Sequence, residues 1–407
     1  MTCCKTSNQY AHWLSKLFQS IEVNTNTKMK IISTPRHVDL AITGKCNLAC
    51  QYCFYADEMV ARNDLSTATW LSLFEELAQL GVMTVCLTGG EVFTRPDLFQ
   101  LIDGVIANRM RYEMLSNGTL ITEKTLARFE QGKRRQRLNS IQLSLDGASA
   151  EIHDRSRPNS FQRVLRALKL LHQADYPVSV RVTINRFNVN DLNNIAHLLL
   201  EEIGLADFST NEAYDCGETD RNAKNAILTP EQREHAMQSL MQLVEKYPGR
   251  IQAQAGPLVL ATEMHSIEAM MLAGQSSRQG GGTLSSCGCA FSKLAVLHDG
   301  TIVPCHVLST LRLGKIGVDR LQDIWFNHPI LEDLRRRQQI PITSLPTCRD
   351  CPYSGFCHGG CPGGALYAYG TINARNPMNC MRVLKNEDPF YSLAADTAEQ
   401  AMDERNA

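Results

Sequence analysis

The sequence predicts an α/β fold: a partial (β/α)6, TIM-like barrel followed by a small cysteine-rich domain. Three observations predict it. Apolar runs of strand length alternate with runs of helical spacing six times between residues 38 and 211. The first four predicted strands end in cysteine, glycine-rich or polar motifs, at the end where such barrels carry their active sites. Most of the fifteen cysteines bunch in two groups, one near residue 50 and one between 287 and 380. The expected organisation is an N-terminal extension over 1–37, the barrel over 38–211, a connector over 212–284, the cysteine-rich domain over 285–385 and a tail over 386–407.

The elements follow in order. VDLAIT at 38–43 is a short apolar run bounded by Gly44 and reads as the first strand. TWLSLFEELAQLG at 69–81 has helical apolar spacing and stops at Gly81. MTVCLTGG at 83–90 is a strand ending in two glycines, and DLFQLIDGVIANR at 97–109 is helical. RYEMLSNG at 111–118 is a strand and turn, EKTLARFEQ a short helix, and SIQLSLDG at 140–147 a strand ending in Asp-Gly. FQRVLRALKLLHQA at 161–174 is helical, VSVRVTIN at 178–185 a strand, and DLNNIAHLLLEEIG at 191–204 helical; a weaker strand around 205–211 completes the set. Strands separated by helices in this way pair in parallel, with the helices outside. In the connector, PEQREHAMQSLMQLVEKY reads as a helix, IQAQAG as a short strand and PLVLATEMHSIEAMMLAG as a helix whose methionines belong to a core. SSRQGGGTLSS at 276–286 has the composition of a flexible linker.

Composition excludes several classes. Hydrophobic residues make up 43% and charged residues 20%, ordinary values for a globular protein. A net charge of −1 gives no field that steers the chain to nucleic acid or an anionic membrane. KRRQR at 133–137 is short and reads as a solvated loop. No apolar run approaches membrane-spanning length, and MTCCKTSNQYAHWLSK has no apolar signal core. The bunched cysteines argue for metal ligation in a reducing cytoplasm rather than a disulfide scaffold. Cys86, in VMTVCL, reads as a buried small hydrophobe; Cys3, Cys4 and Cys216 take no role.

ITGKCNLACQYCFY carries Cys46, Cys50 and Cys53, with three residues between the first pair and two between the second. Three thiolates on one tight loop suit three irons of a [4Fe–4S] cube. No fourth cysteine stands at matching spacing, so the fourth iron is left open, as a reactive cluster needs. A structural zinc site is the plainer alternative. C-x3-C-x2-C with Tyr52 before the last cysteine resembles the radical S-adenosylmethionine (SAM) enzymes. That resemblance implies that SAM chelates the open iron and is cleaved by an electron from the cluster, giving a 5′-deoxyadenosyl radical.

Motifs at the other strand ends extend the likeness. A glycine pair after a strand lets backbone approach a ligand closely. GGE, at Gly89, Gly90 and Glu91, resembles the family motif that holds the SAM amino group, with Val92 where proline is usual. Ser144 and Asp146 in SLDG match the position that contacts ribose and carboxylate. Asn117 in SNG is a further candidate SAM contact, and the backbone around Tyr52 is expected at the adenine edge. Arg163, in the helix after SLDGASAEIHDRSRPNS, matches an arginine that pairs with the SAM carboxylate in peptide-modifying relatives, a task that suits a two-pronged guanidinium. A solvated helix face is the alternative for Arg163.

The second cysteine group resembles the SPASM extension of this family. Eight cysteines suffice for two auxiliary [4Fe–4S] clusters. The family's interleaved pattern implies Cys287, Cys289, Cys305 and Cys361 for the first and Cys348, Cys351, Cys357 and Cys380 for the second. One departure bears on the first: Cys289 stands only two residues after Cys287, closer than in relatives. If both cannot bind one cluster, an open iron results. Paired zinc knuckles are the alternative. His306, after Cys305, falls where sulfatase-maturing relatives carry a catalytic aspartate; it is a candidate base, a neutral surface histidine being the alternative.

The resemblance implies a three-cluster, SAM-dependent maturase that removes a hydrogen atom from a ribosomally made precursor peptide. Thioether links, carbon–carbon crosslinks and backbone excision are the outcomes such enzymes give. An electron donor such as flavodoxin or ferredoxin is implied. Enzymes acting on a small molecule or tetrapyrrole, sulfatase-type maturases and a non-catalytic cluster-binding protein are the rival readings. A leader-gripping winged-helix domain needs about eighty residues, and 37 precede the first strand, with a helix expected near 8–21. Leader recognition by a separate small protein is therefore expected.

Overall fold

The computed structural model describes residues 34–59, 63–214, 225–285 and 287–385. The helix expected near 8–21, the tail 386–407 and Cys3, Cys4 and Cys216 lie outside the described residues. Strands β1 (His37–Thr43), β2 (Thr84–Gly89), β3 (Arg111–Ser116), β4 (Leu138–Ser144), β5 (Val178–Ile184) and β6 (Phe208–Glu212) pair in parallel in that order. The helices between them are α1 (Thr67–Gln79), α2 (Leu98–Ala107), α3 (Glu123–Phe129), α4 (Ala150–Ser156), α5 (Phe161–Gln173) and α6 (192–202).

Local chemistry explains these elements. The Ser66 hydroxyl accepts from the Thr69 amide at 3.1 Å and starts α1. Trp70, Leu73, Phe74 and Leu77 then recur at helical spacing and bury one face. Along β5, Val180, Val182 and Ile184 are fully buried in the core shared with the helices, so Arg181 points the other way, into the barrel. From His197 onward α6 widens to bonds five residues apart, with the Ile203 amide reaching the Leu198 carbonyl at 2.9 Å.

The sheet does not stop at six strands. After α7 (Pro230–Lys246), β7 (Ile251–Ala253) pairs in parallel with β6, and α8 (Pro257–Leu272) follows. On the other side β8 (Lys293–Val296) pairs in parallel with β1, and β9 (Thr301–Val303) and β10 (Gly314–Lys315) add antiparallel. The ten strands run β10-β9-β8-β1-β2-β3-β4-β5-β6-β7, so the barrel stays open between β10 and β7. The region before Cys380 is finished by α9 (Leu321–Asn327), α10 (Pro329–Arg336), α11 (Pro362–Tyr369) and several single turns. Among the described residues no helix is long and apolar enough to cross a membrane.

Two expectations need correction. Residues 276–285 are not a free linker. The Gly282 amide donates to the Cys357 carbonyl at 3.0 Å, Leu284 to Ile340 at 2.9 Å and Ser285 to His358 at 2.8 Å. A Cβ on Gly281 would collide with the Gly355 carbonyl, so this glycine serves close packing rather than freedom. The basic run is not a bare loop either. Arg134–Arg137 forms one helical turn, and Arg134 pairs with Asp103 at 2.6 Å while lying over the Phe99 ring.

Candidate functional site

The cysteine loop leaves β1 at Thr43. Asp64 holds that exit, accepting from the Thr43 hydroxyl and the Gly44 amide, both at 2.7 Å. From the neighbouring strand end, the Gly90 amide donates to the Thr43 carbonyl and the Glu91 amide to the Lys45 carbonyl, each at 2.8 Å. A Cβ on Gly89 would collide with the Thr43 carbonyl, and one on Gly90 with that of Lys45. The close approach that the glycine pair permits is thus to the cysteine loop.

Cys46, Cys50 and Cys53 are half-buried. Burial pushes all three thiols up, Cys53 to about 11, with Cys50 beside it adding to the rise. Their sulfurs nonetheless face donors: the Leu48 amide lies 3.5 Å from Cys46 Sγ, Asn117 Nδ2 4.0 Å from the same atom, and Arg157 Nη1 3.7 Å from Cys50 Sγ. Such donors suit metal-bound thiolates better than thiols. A tetrahedral zinc would draw thiolates to about 3.8 Å of one another. Among the described residues, only His37, Asp39 and Cys86 form a group of three or more His, Cys, Asp or Glu ligand atoms all within 4.8 Å. The sulfurs of Cys46, Cys50 and Cys53 do not all lie within that distance of one another. Cys86 itself is buried on β2, as its apolar run predicts.

The neighbouring strand ends supply an acidic and amide frame. Glu91 is fully buried; it accepts from the Ser116 hydroxyl at 2.8 Å, the Asn117 amide at 2.7 Å and the Phe93 amide at 3.1 Å. Burial raises its pKa against those three bonds. Asn117 Nδ2 donates to Asn47 at 3.0 Å, so β3 clasps the cysteine loop from the side. Asp146, also fully buried, accepts from Arg157 Nε at 2.5 Å, the Thr183 amide at 2.8 Å and the Tyr52 phenol. Its own amide donates to His153 Nδ1 at 3.0 Å.

The arginine at the cysteine loop is Arg157, not Arg163. Arg157 bridges Asp146 and Cys50 and lies over the Tyr52 ring, 5.3 Å from its centroid. The negative groups around it hold its pKa well above the ordinary value despite burial. Arg163 is half-exposed and donates to the Asn159 carbonyl at 2.8 Å in the turn before its own helix. The readable signal was Pro158: the residue before proline is driven out of helical geometry, and Arg157 at φ −127°, ψ 80° turns off the end of α4 toward β4.

Inside the barrel, Glu113, Leu115, Gln142, Ser144, Arg181 and Asn211 occupy the positions facing away from the helices. Ser144 is in register with Arg181 on the next strand. Arg181 Nε donates to the Ser209 hydroxyl at 2.7 Å, and burial lowers its pKa. Asn211 Oδ1 is buried without a hydrogen-bond partner. His306 is half-buried. Its ring stands edge-on to Tyr55, centroids 5.8 Å apart, with Nε2 buried and unpartnered, and burial lowers its pKa.

The second cysteine group gathers into the two interleaved sets. Cys287 Sγ lies 3.4 Å from Cys289 Sγ, and Cys289 also meets Cys305, with Cys361 close to Cys287 and Cys305. The bond between them holds the Cys287 thiol low and the Cys289 thiol high. Cys348, Cys351, Cys357 and Cys380 line one small cavity with Tyr353 and Arg375. Burial pushes Cys357 up to about 12.

Comparison with known proteins follows the same division. A model of the radical SAM superfamily matches residues 40–199, and one of an iron–sulfur cluster-binding domain, SPASM, matches 287–352. The chain is 25% identical over 362 residues to the AdoMet-dependent heme synthase of Methanosarcina barkeri (strain Fusaro / DSM 804), covering 85% of this chain and 96% of that protein. It is 26% identical over 333 residues to AlbA, the antilisterial bacteriocin subtilosin biosynthesis protein of Bacillus subtilis (strain 168), covering 80% and 67%. Its fold is similar to that of Streptococcus suis SuiB bound to precursor peptide SuiA, with TM-score 0.67 and 16% identity over 92% of this chain and 79% of that one.

Proposed function

Because the chain belongs to the radical SAM superfamily and carries a SPASM domain, we propose that it is a maturase acting on a ribosomally made precursor peptide. It is an enzyme that uses SAM and [4Fe–4S] clusters. The chemistry supplied by the bound cluster and SAM is one-electron cleavage of SAM and removal of a hydrogen atom from the substrate. Cys46, Cys50 and Cys53 are assigned to the SAM cluster, and the two sets of four cysteines to auxiliary clusters. Gly89, Gly90 and Glu91 position the cysteine loop beside the SAM amino group. Arg157 keeps Cys50 and Asp146 in place. Ser144, with Arg181 beside it in register, is assigned to the SAM carboxylate in preference to Arg163. Tyr52 and Asn117 complete the pocket. His306, inside the barrel next to Cys305, stays the candidate base.

The polar wall that β3 to β6 turn into the open barrel, together with the likeness to a bacteriocin biosynthesis protein, supports the peptide reading. Glu113, Gln142, Ser144, Arg181 and Asn211 make the wall from β3 to β6 polar, while Ala41, Ala295 and Val303 make the wall from β1 to β9 apolar. AlbA takes part in making a peptide bacteriocin. A crosslink or a backbone excision is the expected kind of product. A tetrapyrrole substrate is the second reading, favoured by the likeness to the heme synthase. An external one-electron donor and a separate leader-recognition protein complete the peptide reading.

The test is anaerobic incubation with SAM, reductant and each short peptide found encoded next to this gene, followed by mass spectrometry. The expected result is a SAM-dependent mass change that rises when the recognition protein is added, through local concentration of the substrate. Unchanged peptide under every combination, with turnover of a tetrapyrrole instead, would replace the peptide reading by the second one.

A further inference from the structure

Arg337 follows α10 and is fully buried. A buried guanidinium is costly unless a negative group answers it. Among the described residues it has no carboxylate partner. Its donors reach three backbone carbonyls instead: Ser285 at 3.0 Å, Ala374 at 3.5 Å and Gly360 at 3.5 Å. Two of these belong to segments that end in cysteines of the first auxiliary set. Ser285 lies two residues before Cys287, and Gly360 immediately precedes Cys361. The groups whose negative charge would offset its burial are Cys361, Cys289 and Cys287, in that order, which carry that charge as cluster ligands. Burial lowers its pKa to about 10, which leaves it charged at neutral pH. Lys293 also lies near Cys287, but it is exposed and screened by water.

We propose that Arg337 is the buried counter-ion of the first auxiliary cluster, raising its reduction potential by stabilising the more negative, reduced state. This rests on the assignment of Cys287, Cys289, Cys305 and Cys361 to that cluster. The potentials of such clusters follow their net charge, hydrogen bonding and exposure. A fixed, buried cation beside these cysteines favours gain of one electron from the external donor. The carbonyl bonds tie the same cation to both cysteine-bearing segments, so cluster position and cluster potential depend on one side chain.

The experiment is an EPR-monitored redox titration of the fully reconstituted enzyme, with Arg337→Gln and Arg337→Lys. Cys361→Ala identifies the first auxiliary signal by removing it. Arg337→Gln is expected to shift that cluster's reduction equilibrium about tenfold toward the oxidised form, about 59 mV for one electron. Arg337→Lys should keep most of the parent value, and the other two clusters should not move. An unchanged midpoint in Arg337→Gln, or equal shifts in both variants, overturns the proposal. If Arg337→Gln loses the cluster, the lysine variant decides: a retained cluster at the parent midpoint supports the counter-ion, and a lost one overturns it. A Cys361→Ala protein with every signal intact would instead refute the cluster assignment beneath it.

Discussion

The two cysteine regions solve the same problem in opposite ways. Cys46, Cys50 and Cys53 lie within one loop at the end of β1, and the scaffold around that loop is regular. Two backbone bonds from Gly90 and Glu91, a clasp from Asn117 and a cation from Arg157 hold it. The other eight cysteines are spread from 287 to 380. Short strands and the helices α9, α10 and α11 lie between some of them, but the chain from 337 to 361 runs through single turns such as Arg337–Gln339, Ile342–Ser344 and Pro346–Cys348. Short turns of this kind hold little by themselves. The first site is framed by long regular elements; the second rests on small packed clusters such as Tyr353, Phe356 and Met381, so there cluster binding is expected to add more to local stability.

The sharpest way to break that contrast is to remove each site's thiols. Cys46, Cys50 and Cys53 changed together to alanine should cost about four of about twelve irons and all 5′-deoxyadenosine formation, with the barrel still folded. Cys348→Ala with Cys357→Ala should also cost about four irons, but proteases should now cut between 340 and 385 while the barrel resists. Iron analysis and limited proteolysis read both outcomes; equal protease resistance in the two variants would erase the distinction.

A smaller effect is expected within the regular region. Arg157→Ala leaves Asp146 fully buried without its cation, a loss of about 3–5 kcal/mol in stability. Denaturant unfolding measures it, and weaker SAM binding should accompany it. A loss below about 1 kcal/mol, the usual size of a surface pair, would mean that the pair is not structural.

The smallest expected effect depends on pH. Burial lowers the His153 pKa from 6.5 to about 4. The unfolded chain then takes up the proton first, so stability falls as pH drops from about 6.5 toward 4, by up to about 3 kcal/mol from this group. Above pH 7 the group contributes no slope. His153→Gln should flatten that part of the profile; an unaltered slope would assign the acid sensitivity to other groups.

Much of this was legible because it is local. Period-two and period-3.6 patterns mark the strands and helices of the barrel within a few residues of their observed ends. The cysteine spacing is written in one loop. What was not legible depends on distant partners. Nothing near 293–296 says that it will pair with β1, more than 250 residues earlier. The glycines at 280–282 look like flexibility until Gly355 is beside them. Choosing Arg157 over Arg163 needs the turn at Pro158 and the buried Asp146. Glu91 is recognisable as a carboxylate, but its three bonds to the β3 end and the turn after it come only with the tertiary fold.

The pairing of β8 with β1 makes the strand a ruler. Cys287 and Cys289 precede β8 at the level of His37, and Cys46 follows Thr43 at the other end. Six residue steps at about 3.3 Å put the two sites about 20 Å apart along the sheet. That gap is fixed by strand length and hydrogen bonds, not by the segment 212–284 that separates them in sequence. Insertions in that segment leave the spacing between the two cysteine sites untouched, whereas a single-residue slip of β8 on β1 would move them by a full strand step.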